Sequence, residues 1–316
     1  MKNILVTGAA GQIGSELVPY LRKIYGTNSV VAVYRSTPLT KEVSEGGPCV
    51  NMDVMEAEKL HEVVKKYNID TIINLVAVLS AKGENNPLSA WKINMGSLIN
   101  SLEVMKEVKG AVFTPSSIGA FGPSTPLDNT PQDTIMRPTT IYGISKVAAE
   151  LWSDYYHLKY GVDTRGVRYP GIISNVTLPG GGTTDYAVEI YYEAIKHKHY
   201  TCNLKAGTYL DMMYMPDALR ALVELMEADP NKLKHRNCFN VTAMSFEPEM
   251  IAAEIRKHIP EFVIDYKVDP VKQAIAESWP NSMDQTAAQE EWGWKPEYNL
   301  STMTIDMLKV LSQKLK

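Results

Sequence analysis

Residues 3–14 read Asn3-Ile-Leu-Val-Thr-Gly-Ala-Ala-Gly-Gln-Ile-Gly14, and this stretch decides the fold. The aliphatic run from Asn3 to Val6 predicts a strand, and the amphipathic stretch that follows the glycines predicts a helix. Gly8 permits a tight turn, Gly11 lets a phosphate approach bare backbone, and Gly14 lets the helix pack near the strand. A strand, a GxxGxxG turn and a helix in this order are typical of a dinucleotide site.

The loop predicts a dinucleotide and not a mononucleotide, because no lysine follows its last glycine. We therefore expect NAD or NADP, with the positive end of the helix aimed at the pyrophosphate. The loop residues expected beside the cofactor are Gly8, Gly11, Gln12, Ile13 and Gly14.

The first half of the chain alternates short β-branched runs with amphipathic stretches, which predicts βαβ units and a parallel sheet. The strand candidates are 3–6, 30–34, 49–52, 71–76, 111–114 and 164–169. Helices are expected at 91–104, 141–160 and about 185–197, besides those after the first and third strands. The pattern predicts an α/β fold, a Rossmann-type doubly wound parallel sheet with a smaller mixed C-terminal substrate domain.

The length of 316 residues suggests one large domain with a smaller appended one. We assign residues 1–170 to the dinucleotide-binding domain and expect about 205–242 to complete it. Residues 171–204 and 243–316 are assigned to the substrate-binding domain.

Composition argues against several classes of protein. With 32 basic and 36 acidic residues and no long basic run, the chain is not expected to bind nucleic acid. Its longest apolar stretch near a strand is far shorter than the ~20 residues of a membrane span. The N-terminus lacks a signal-peptide pattern, so we expect a cytoplasmic protein. Cys49, Cys202 and Cys238 include no CxxC pair, which predicts free thiols.

Tyr142 and Lys146 are the candidates for proton transfer. Their i, i+4 spacing places both on one helix face. A free phenol titrates at about 10, and an adjacent ammonium with an oxidised nicotinamide favours its ionised form. Tyr155–Lys159 and Tyr192–Lys196 share the spacing, but only Tyr142 opens its helix and follows a strand that ends in hydroxyls.

Those hydroxyls belong to Ser116 and Ser117, which follow the strand candidate 111–114. A serine at this point can hydrogen-bond a substrate oxygen as hydride leaves the substrate carbon. The alternative is that both are ordinary turn serines.

The residues after the second and third strands bear on the choice of cofactor. An acidic side chain at the end of the second strand would bind the ribose hydroxyls, but Tyr34 stands there. Arg35 could hold a 2′-phosphate or be a surface charge. Asp53 could contact the adenine or cap the helix expected near Glu56.

At this point the chain resembles the extended short-chain dehydrogenases, through the GxxGxxG loop, Ser117, Tyr142 with Lys146, and Arg168-Tyr-Pro-Gly171. The resemblance implies that the serine bonds the substrate oxygen and the tyrosine exchanges the proton. It also implies that the lysine holds the nicotinamide ribose. Ser117 fits the serine position better than Ser116.

Within that superfamily the chain looks like the zinc-independent L-threonine 3-dehydrogenases. The matching motifs are Leu79-Ser-Ala81, Pro179-Gly-Gly-Gly-Thr-Thr-Asp-Tyr-Ala-Val188, Asp211-Met-Met-Tyr-Met-Pro-Asp217, Ser278-Trp-Pro-Asn-Ser-Met-Asp284 and Trp292-Gly-Trp294. This resemblance implies oxidation of L-threonine at C3 to 2-amino-3-oxobutyrate, with hydride transfer to NAD. It also implies a homodimer.

The same resemblance implies further site residues. Ser80, Thr183, Thr184 and Trp279 would surround the amino acid, together with Ser116, Ser117 and Tyr142 singled out above. The alternative for Trp279 is a core tryptophan of the C-terminal segment. Leu75, Ala77, Lys146, Tyr169, Pro170 and Ile172 would line the cofactor. They join the glycine loop and the strand-end residues Tyr34, Arg35, Asp53 and Val54, which are expected there from their positions in the sequence. Family members commonly carry an acidic residue near Tyr34, so the resemblance favours NAD while the local residues leave NADP open.

The helix 141–160 is apolar on more than one side, which predicts two packing partners. One is the sheet, and a second copy of the chain is the expected other.

Two other functions remain open. A nucleotide-sugar epimerase or dehydratase would use the same tyrosine and lysine, and a non-catalytic NAD(P)-sensing protein would keep only the cofactor site. No metal is expected, because His197 and His199 stand two apart in a predicted helix and face different ways.

Overall fold

In a computed structural model, which describes residues 1–178, 180 and 182–315, the elements alternate as the pattern predicts. The strands are β1 Ile4–Thr7, β2 Val30–Tyr34, β3 Cys49–Asn51, β4 Thr71–Asn74, β5 Ala111–Phe113, β6 Ser116–Ser117, β7 Asp163–Arg165, β8 Val167–Tyr169, β9 Gly171–Ile173, β10 His199–Cys202, β11 Leu210–Tyr214, β12 Phe239–Asn240, β13 Met244–Phe246 and β14 Val263–Tyr266. The helices are α1 Gln12–Tyr25, α2 Lys41–Glu45, α3 Ala57–Lys66, α4 Ser80–Asn85, α5 Pro87–Val108, α6 Ile141–Tyr160, α7 Tyr186–His197, α8 Met215–Glu227, α9 Pro248–Arg256, α10 Pro270–Ala276, α11 Thr286–Trp292 and α12 Leu300–Lys314.

The central sheet has six parallel strands in the order β3-β2-β1-β4-β5-β7. The order reverses between β1 and β4, and ligands of such sheets bind in the crevice outside the carboxyl ends of the strands at this point. The predicted Rossmann-type parallel sheet is therefore confirmed.

Helices cover both faces of this sheet. Along β1, Ile4 and Val6 pack in the core formed with α1 and α8, whereas Leu5 packs in the core formed with α3, α5 and α6. Alternate residues of a strand point to opposite faces, so a strand covered on both sides is apolar throughout. Continuous aliphatic runs such as that of β1 follow from this burial.

A third core lies outside the sheet. It joins α7, α9 and α12 and includes Trp279 and Met283 from the C-terminal segment. Residues 213–241 instead pack with α1 in the core of the first domain, although the limits of the two domains stay a prediction.

The predicted strand 164–169 is wrong as a single element, because Gly166 divides it into β7 and β8. A Cβ on Gly166 would lie 2.5 Å from the Thr114 carbonyl oxygen and 2.4 Å from the Cys238 sulfur. At this close approach the chain leaves the six-stranded sheet, and β8 pairs instead with β6 and β12.

The helix predicted at 91–104 extends further at both ends. Asn86 caps α5 by accepting a hydrogen bond from the Ser89 N–H, and Pro87 takes the first helical position. Lys109, in a left-handed conformation, ends the helix.

All three cysteines carry free thiols, as predicted. In the part of the chain that the structure describes, no helix combines the length and apolar character needed to span a bilayer.

Candidate active site

Three adjoining cavities lie along the carboxyl ends of β1, β2, β4 and β6. We call them the outer, middle and inner cavities, with volumes of about 320, 240 and 120 Å³. Gly11 and Leu75 line both the outer and middle cavities, and Ser117 and Tyr142 line both the middle and inner ones. The three therefore form one continuous cleft.

The sequence-predicted site residues line this cleft. The outer cavity contains Gly8, Gly11, Tyr34, Arg35, Asp53, Val54, Leu75 and Ala77. The middle cavity adds Gln12, Ile13, Gly14, Ser116, Ser117, Tyr142, Lys146, Tyr169, Pro170 and Ile172. The inner cavity adds Ser80, Thr183, Thr184 and Trp279. A groove of about 860 Å³ at the opposite edge of the sheet contains none of them.

The glycine loop has the geometry of a phosphate cradle. Gly8 has a φ of +72°, and a Cβ on Gly14 would lie 2.4 Å from the Gly8 carbonyl oxygen. Gly11 caps α1 without a side-chain hydrogen bond, so N–H groups at the start of the helix have no capping acceptor. Such N–H groups and the helix dipole favour an anion. The loop therefore fits the pyrophosphate of a dinucleotide.

In the outer cavity Arg35 and Asp53 are bound to each other. The Arg35 guanidinium donates from Nη1 to Asp53 Oδ2 at 3.0 Å, and the Met55 N–H donates to Asp53 Oδ1 at 3.0 Å. The Met55 hydrogen bond, followed by Arg35, lowers the pKa of Asp53. Asp53 is not the cap of α3, because Glu56 occupies that position.

The start of α6 brings Tyr142 to the cleft. The Thr140 hydroxyl caps the helix by accepting from the Gly143 N–H at 3.1 Å. A Cβ on Gly143 would lie 2.1 Å from the Gly119 carbonyl oxygen, so only glycine allows this packing. The helix therefore begins directly against the turn that follows Ser117.

Lys146 is buried behind the tyrosine. Its Nζ donates to the Pro115 carbonyl oxygen at 2.6 Å and lies 5.3 Å from the centre of the Tyr142 ring. The ammonium is thus fixed beside the Tyr142 ring.

The two serines differ in their partners. The Ser117 hydroxyl accepts from the Gly119 N–H at 3.1 Å, and Ser117 lines both the middle and inner cavities. Ser116 lines only the middle cavity among the three, and its hydroxyl donates to the Glu150 carboxylate. Of the two, Ser117 has the geometry expected of a substrate ligand.

The inner cavity is small and is lined by both polar and apolar residues. Thr183 is buried, and its hydroxyl has no hydrogen-bond partner within the described residues. Asp185, which sequence reasoning missed although it follows Thr184 in the 179–188 motif, accepts from the Gly182 N–H at 2.6 Å. Among the described lining residues, neither Lys nor Arg occurs. Pro179 and Gly181 of this motif lie outside the described residues.

The 211–217 motif supports the site from outside the cleft. Buried Asp211 accepts from the Met283 N–H at 2.8 Å and from the Thr242 hydroxyl, and burial raises the pKa of its carboxyl to about 7. Asp217 accepts from the Tyr298 N–H at 3.0 Å. Asp211 thus holds the segment that carries Trp279, and Asp217 holds the segment that leads into α12.

Other proteins are similar to this chain in sequence and in fold. Residues 4–241 match the model of the NAD dependent epimerase/dehydratase family. An uncharacterised epimerase/dehydratase of Staphylococcus haemolyticus (strain JCSC1435) is 52% identical over 314 residues, which cover 99% of both chains.

Three solved structures superpose closely. L-threonine dehydrogenase of Clostridium difficile has a TM-score of 0.96 and 57% identity, covering 99% of this chain and 98% of that one. The holo form of a GalE-like L-threonine dehydrogenase of Cupriavidus necator has a TM-score of 0.94 and 48% identity, covering 99% and 100%. A monomeric L-threonine 3-dehydrogenase from a metagenome has a TM-score of 0.94 and 39% identity, also covering 99% and 100%.

Proposed function

We propose that the chain, which belongs to the NAD dependent epimerase/dehydratase family, is an L-threonine 3-dehydrogenase. It oxidises the C3 hydroxyl of L-threonine to 2-amino-3-oxobutyrate, with NAD as hydride acceptor. The observation that carries this proposal is the inner cavity, which adjoins Tyr142, has a volume of about 120 Å³ and has neither Lys nor Arg among its described lining residues. The similarity to solved L-threonine dehydrogenases supports the same substrate.

The size and charge of the inner cavity favour an amino acid. Its volume of about 120 Å³ is below the ~300–1,000 Å³ of pockets for drug-sized ligands. A nucleotide sugar also carries a diphosphate, and no cationic side chain occurs among the described lining residues. Asp185 is the charged side chain in that lining, and its carboxylate suits an ammonium group.

The proposed chemistry assigns one role to each group around the middle and inner cavities. When bound, NAD would supply the hydride acceptor, and the glycine loop and Lys146 would hold its pyrophosphate and ribose. The ionised oxygen of Tyr142 takes the proton of the C3 hydroxyl, and Ser117 hydrogen-bonds the same oxygen as it becomes a carbonyl. The Lys146 ammonium, held by the Pro115 carbonyl, stabilises the ionised phenol before the transfer.

We propose NAD and not NADP because Asp53 already binds Arg35. Both side chains line the outer cavity, and the carboxylate competes with a 2′-phosphate for the guanidinium. Asp53 thus supplies the acidic group that is missing at Tyr34.

We also propose that the chain forms a homodimer through the outer face of α6. Leu151 and Leu158 are 61% and 84% exposed, and Trp152 and Tyr155 lie beside them. Leu151, Trp152 and Tyr155 surround an apolar hollow. Large exposed apolar patches of this kind mark interaction surfaces.

The test is to mix the purified protein with L-threonine and NAD⁺, and separately NADP⁺, and follow the absorbance of reduced nicotinamide. Reduction with L-threonine and NAD⁺ is expected, and its absence with both cofactors would refute the substrate. A parallel incubation with uridine diphosphate sugars is expected to yield no epimer or dehydrated product. Cofactor binding without any turnover would instead favour a sensing protein.

A matched pair of variants tests the role of Tyr142. Tyr142→Phe should lower turnover by about 10²–10⁴-fold, the usual contribution of a positioned acid or base, while NAD affinity is retained. Tyr155→Phe is the control, because Tyr155 has a lysine at the same spacing but lies exposed on the outer face. Equal turnover in the two variants would refute the assigned role.

A further inference from the structure

A buried ion pair lies directly behind Tyr142 and Lys146. Arg168 on β8 donates from Nη2 to Glu150 Oε2 at 2.8 Å and from Nε to Glu150 Oε1 at 3.1 Å. The two side chains are 5% and 3% exposed. Nη1 of Arg168 donates to the Gln132 carbonyl oxygen at 2.8 Å and to Asn240 Oδ1 at 3.0 Å. Both charges are therefore removed from solvent, paired and hydrogen-bonded.

The pair is connected to the reacting groups through the backbone of β6. The Ser116 hydroxyl donates to the Glu150 carboxylate. The residue before Ser116 is Pro115, whose carbonyl holds Lys146, and the residue after it is Ser117 in the inner cavity. One hydrogen bond thus fixes the strand at a point between two groups that the reaction requires.

Tyr142, Lys146 and Glu150 follow one another at i, i+4 and i+8 along a single face of α6. Glu150 is about 6 Å along the helix axis from Lys146 and about 12 Å from Tyr142, at 1.5 Å per residue. An unpaired carboxylate here would oppose the positive field of Lys146 and disfavour an ionised Tyr142. The Arg168 guanidinium, bonded directly to the Glu150 carboxylate, neutralises that negative charge.

Other titratable groups facing the pair come from neighbouring elements. They are Lys146 and Asp154 of α6, Cys238 before β12, and Asp133 of the loop before α6. Burial raises the pKa of the Cys238 thiol well above its usual value, so it adds no charge at neutral pH.

We propose that Glu150 and Arg168 are positioning residues for proton transfer by Tyr142. Through Ser116 they hold Pro115 and Ser117 in register with Lys146, and by pairing they keep the field at Tyr142 free of a buried negative charge. Neither acts on the substrate. The inference rests on the proposed role of Tyr142 and holds for any alcohol that this tyrosine deprotonates.

Two substitutions separate position from charge. Ser116→Ala removes the hydrogen bond to Glu150 and keeps both charges, so kcat should fall about tenfold or more from the misplaced strand. The pH midpoint of activity should stay unchanged, and Ser116→Thr should restore kcat. Glu150→Gln retains an acceptor for Ser116 but removes one negative charge. The midpoint of the ascending pH limb of kcat/KM should then fall by up to about one unit, for a unit charge at ~12 Å and an effective dielectric of ~20.

Two controls accompany these variants. Asp154→Asn removes a carboxylate one turn further along α6 that is bonded to Asn237 and not to β6, and should shift the midpoint less than Glu150→Gln. The double variant Glu150→Gln, Arg168→Gln removes both charges, so its midpoint should return towards that of the unchanged protein. If Glu150→Gln does not fold because Arg168 is left unpaired, the double variant and Ser116→Ala still test the proposal.

A second readout needs no substrate. With NAD bound, the phenolate absorbance of the protein minus that of Tyr142→Phe reports ionisation of this ring alone, and Glu150→Gln should move its midpoint to lower pH. Failure to oxidise L-threonine would refute the proposed function and leave this measurement intact. An unshifted or raised midpoint in folded Glu150→Gln, or full kcat in folded Ser116→Ala, would overturn the proposal.

Discussion

Replacing Glu16 by Gln should stabilise the protein at alkaline pH and have little effect in acid. Glu16 lies on α1, next to the loop that leads into the inner cavity, and the Ser174 hydroxyl donates to its Oε1 at 2.5 Å. Burial raises the pKa of the Glu16 carboxyl from 4.5 to about 7, against the smaller lowering effects of Ser174 and Lys314. The folded protein therefore holds a proton on Glu16 that the unfolded chain releases at lower pH.

The direction and size of the effect follow from this difference in pKa. Below the unfolded value of 4.5 the group is protonated in both states, and neutral Glu and Gln should support similar stability. Between pH 4.5 and about 7 the unfolded chain ionises this carboxyl while the folded protein keeps its proton, so stability is lost across this window and is not regained above it. A difference of about 2.5 units corresponds to ~3 kcal/mol of unfolding free energy. In a protein of this size that amounts to a Tm shift of roughly 5 °C.

The measurement is thermal unfolding by circular dichroism at several pH values between about 5 and about 8.5, at constant ionic strength. The titratable groups that face Glu16 are Lys314 on α12, Glu42 on α2, Tyr192 on α7 and Tyr214 on β11. These are the same in both proteins, so the difference in Tm isolates Glu16. Glu45→Gln, on the exposed end of α2, is the matched control and should show no pH-dependent difference. A Tm difference for Glu16→Gln that is constant, or that shrinks as the pH rises, would refute the reasoning.

Two further predictions concern the cofactor and the assembly. Asp53→Asn should release Arg35 and lower the ratio of kcat/KM for NAD to that for NADP several-fold, whereas Arg35→Ala should raise this ratio. The measurement is steady-state kinetics with both cofactors. An unchanged ratio in both variants would contradict the assignment of NAD. Trp152→Glu places a charge in the exposed apolar face of α6 and should convert a dimer into a monomer in sedimentation at micromolar protein, with the fold retained. A protein that already sediments as a monomer before substitution would remove the homodimer proposal.

Most of the fold could be predicted because its signals are local. The glycine loop, the aliphatic runs and the helical periodicity each depend on residues close in sequence, and they predicted the parallel sheet and the bounds of α6. The division of the strand 164–169 could not be predicted in the same way. It depends on the approach of Gly166 to Thr114 and Cys238, which are distant in sequence.

The residues of the candidate site likewise fall into those that local spacing predicts and those that it does not. Helix spacing and position singled out Tyr142 and Lys146, but Trp279 was reached only through a family resemblance, because no spacing rule links it to residues 80–184. Asp185 was missed although it follows Thr184 directly. A carboxylate in a loop usually indicates a turn or cap, and its place in the cavity depends on how residues 183–185 pack against α10.

The same limit applies to α6, where the residues could be located but not the sign of their effect. Any helix brings Tyr142, Lys146 and Glu150 to one face, and spacing alone would make Glu150 an unfavourable neighbour for an ionised phenol. Pairing with Arg168 reverses that conclusion, because the guanidinium neutralises the negative charge of Glu150. The carboxylate then serves as an acceptor that holds Ser116. Whether the carboxylate hinders or supports proton transfer is thus decided by the contact between α6 and β8, and the difference in pH midpoint between Glu150→Gln and the double variant Glu150→Gln, Arg168→Gln tests that contact.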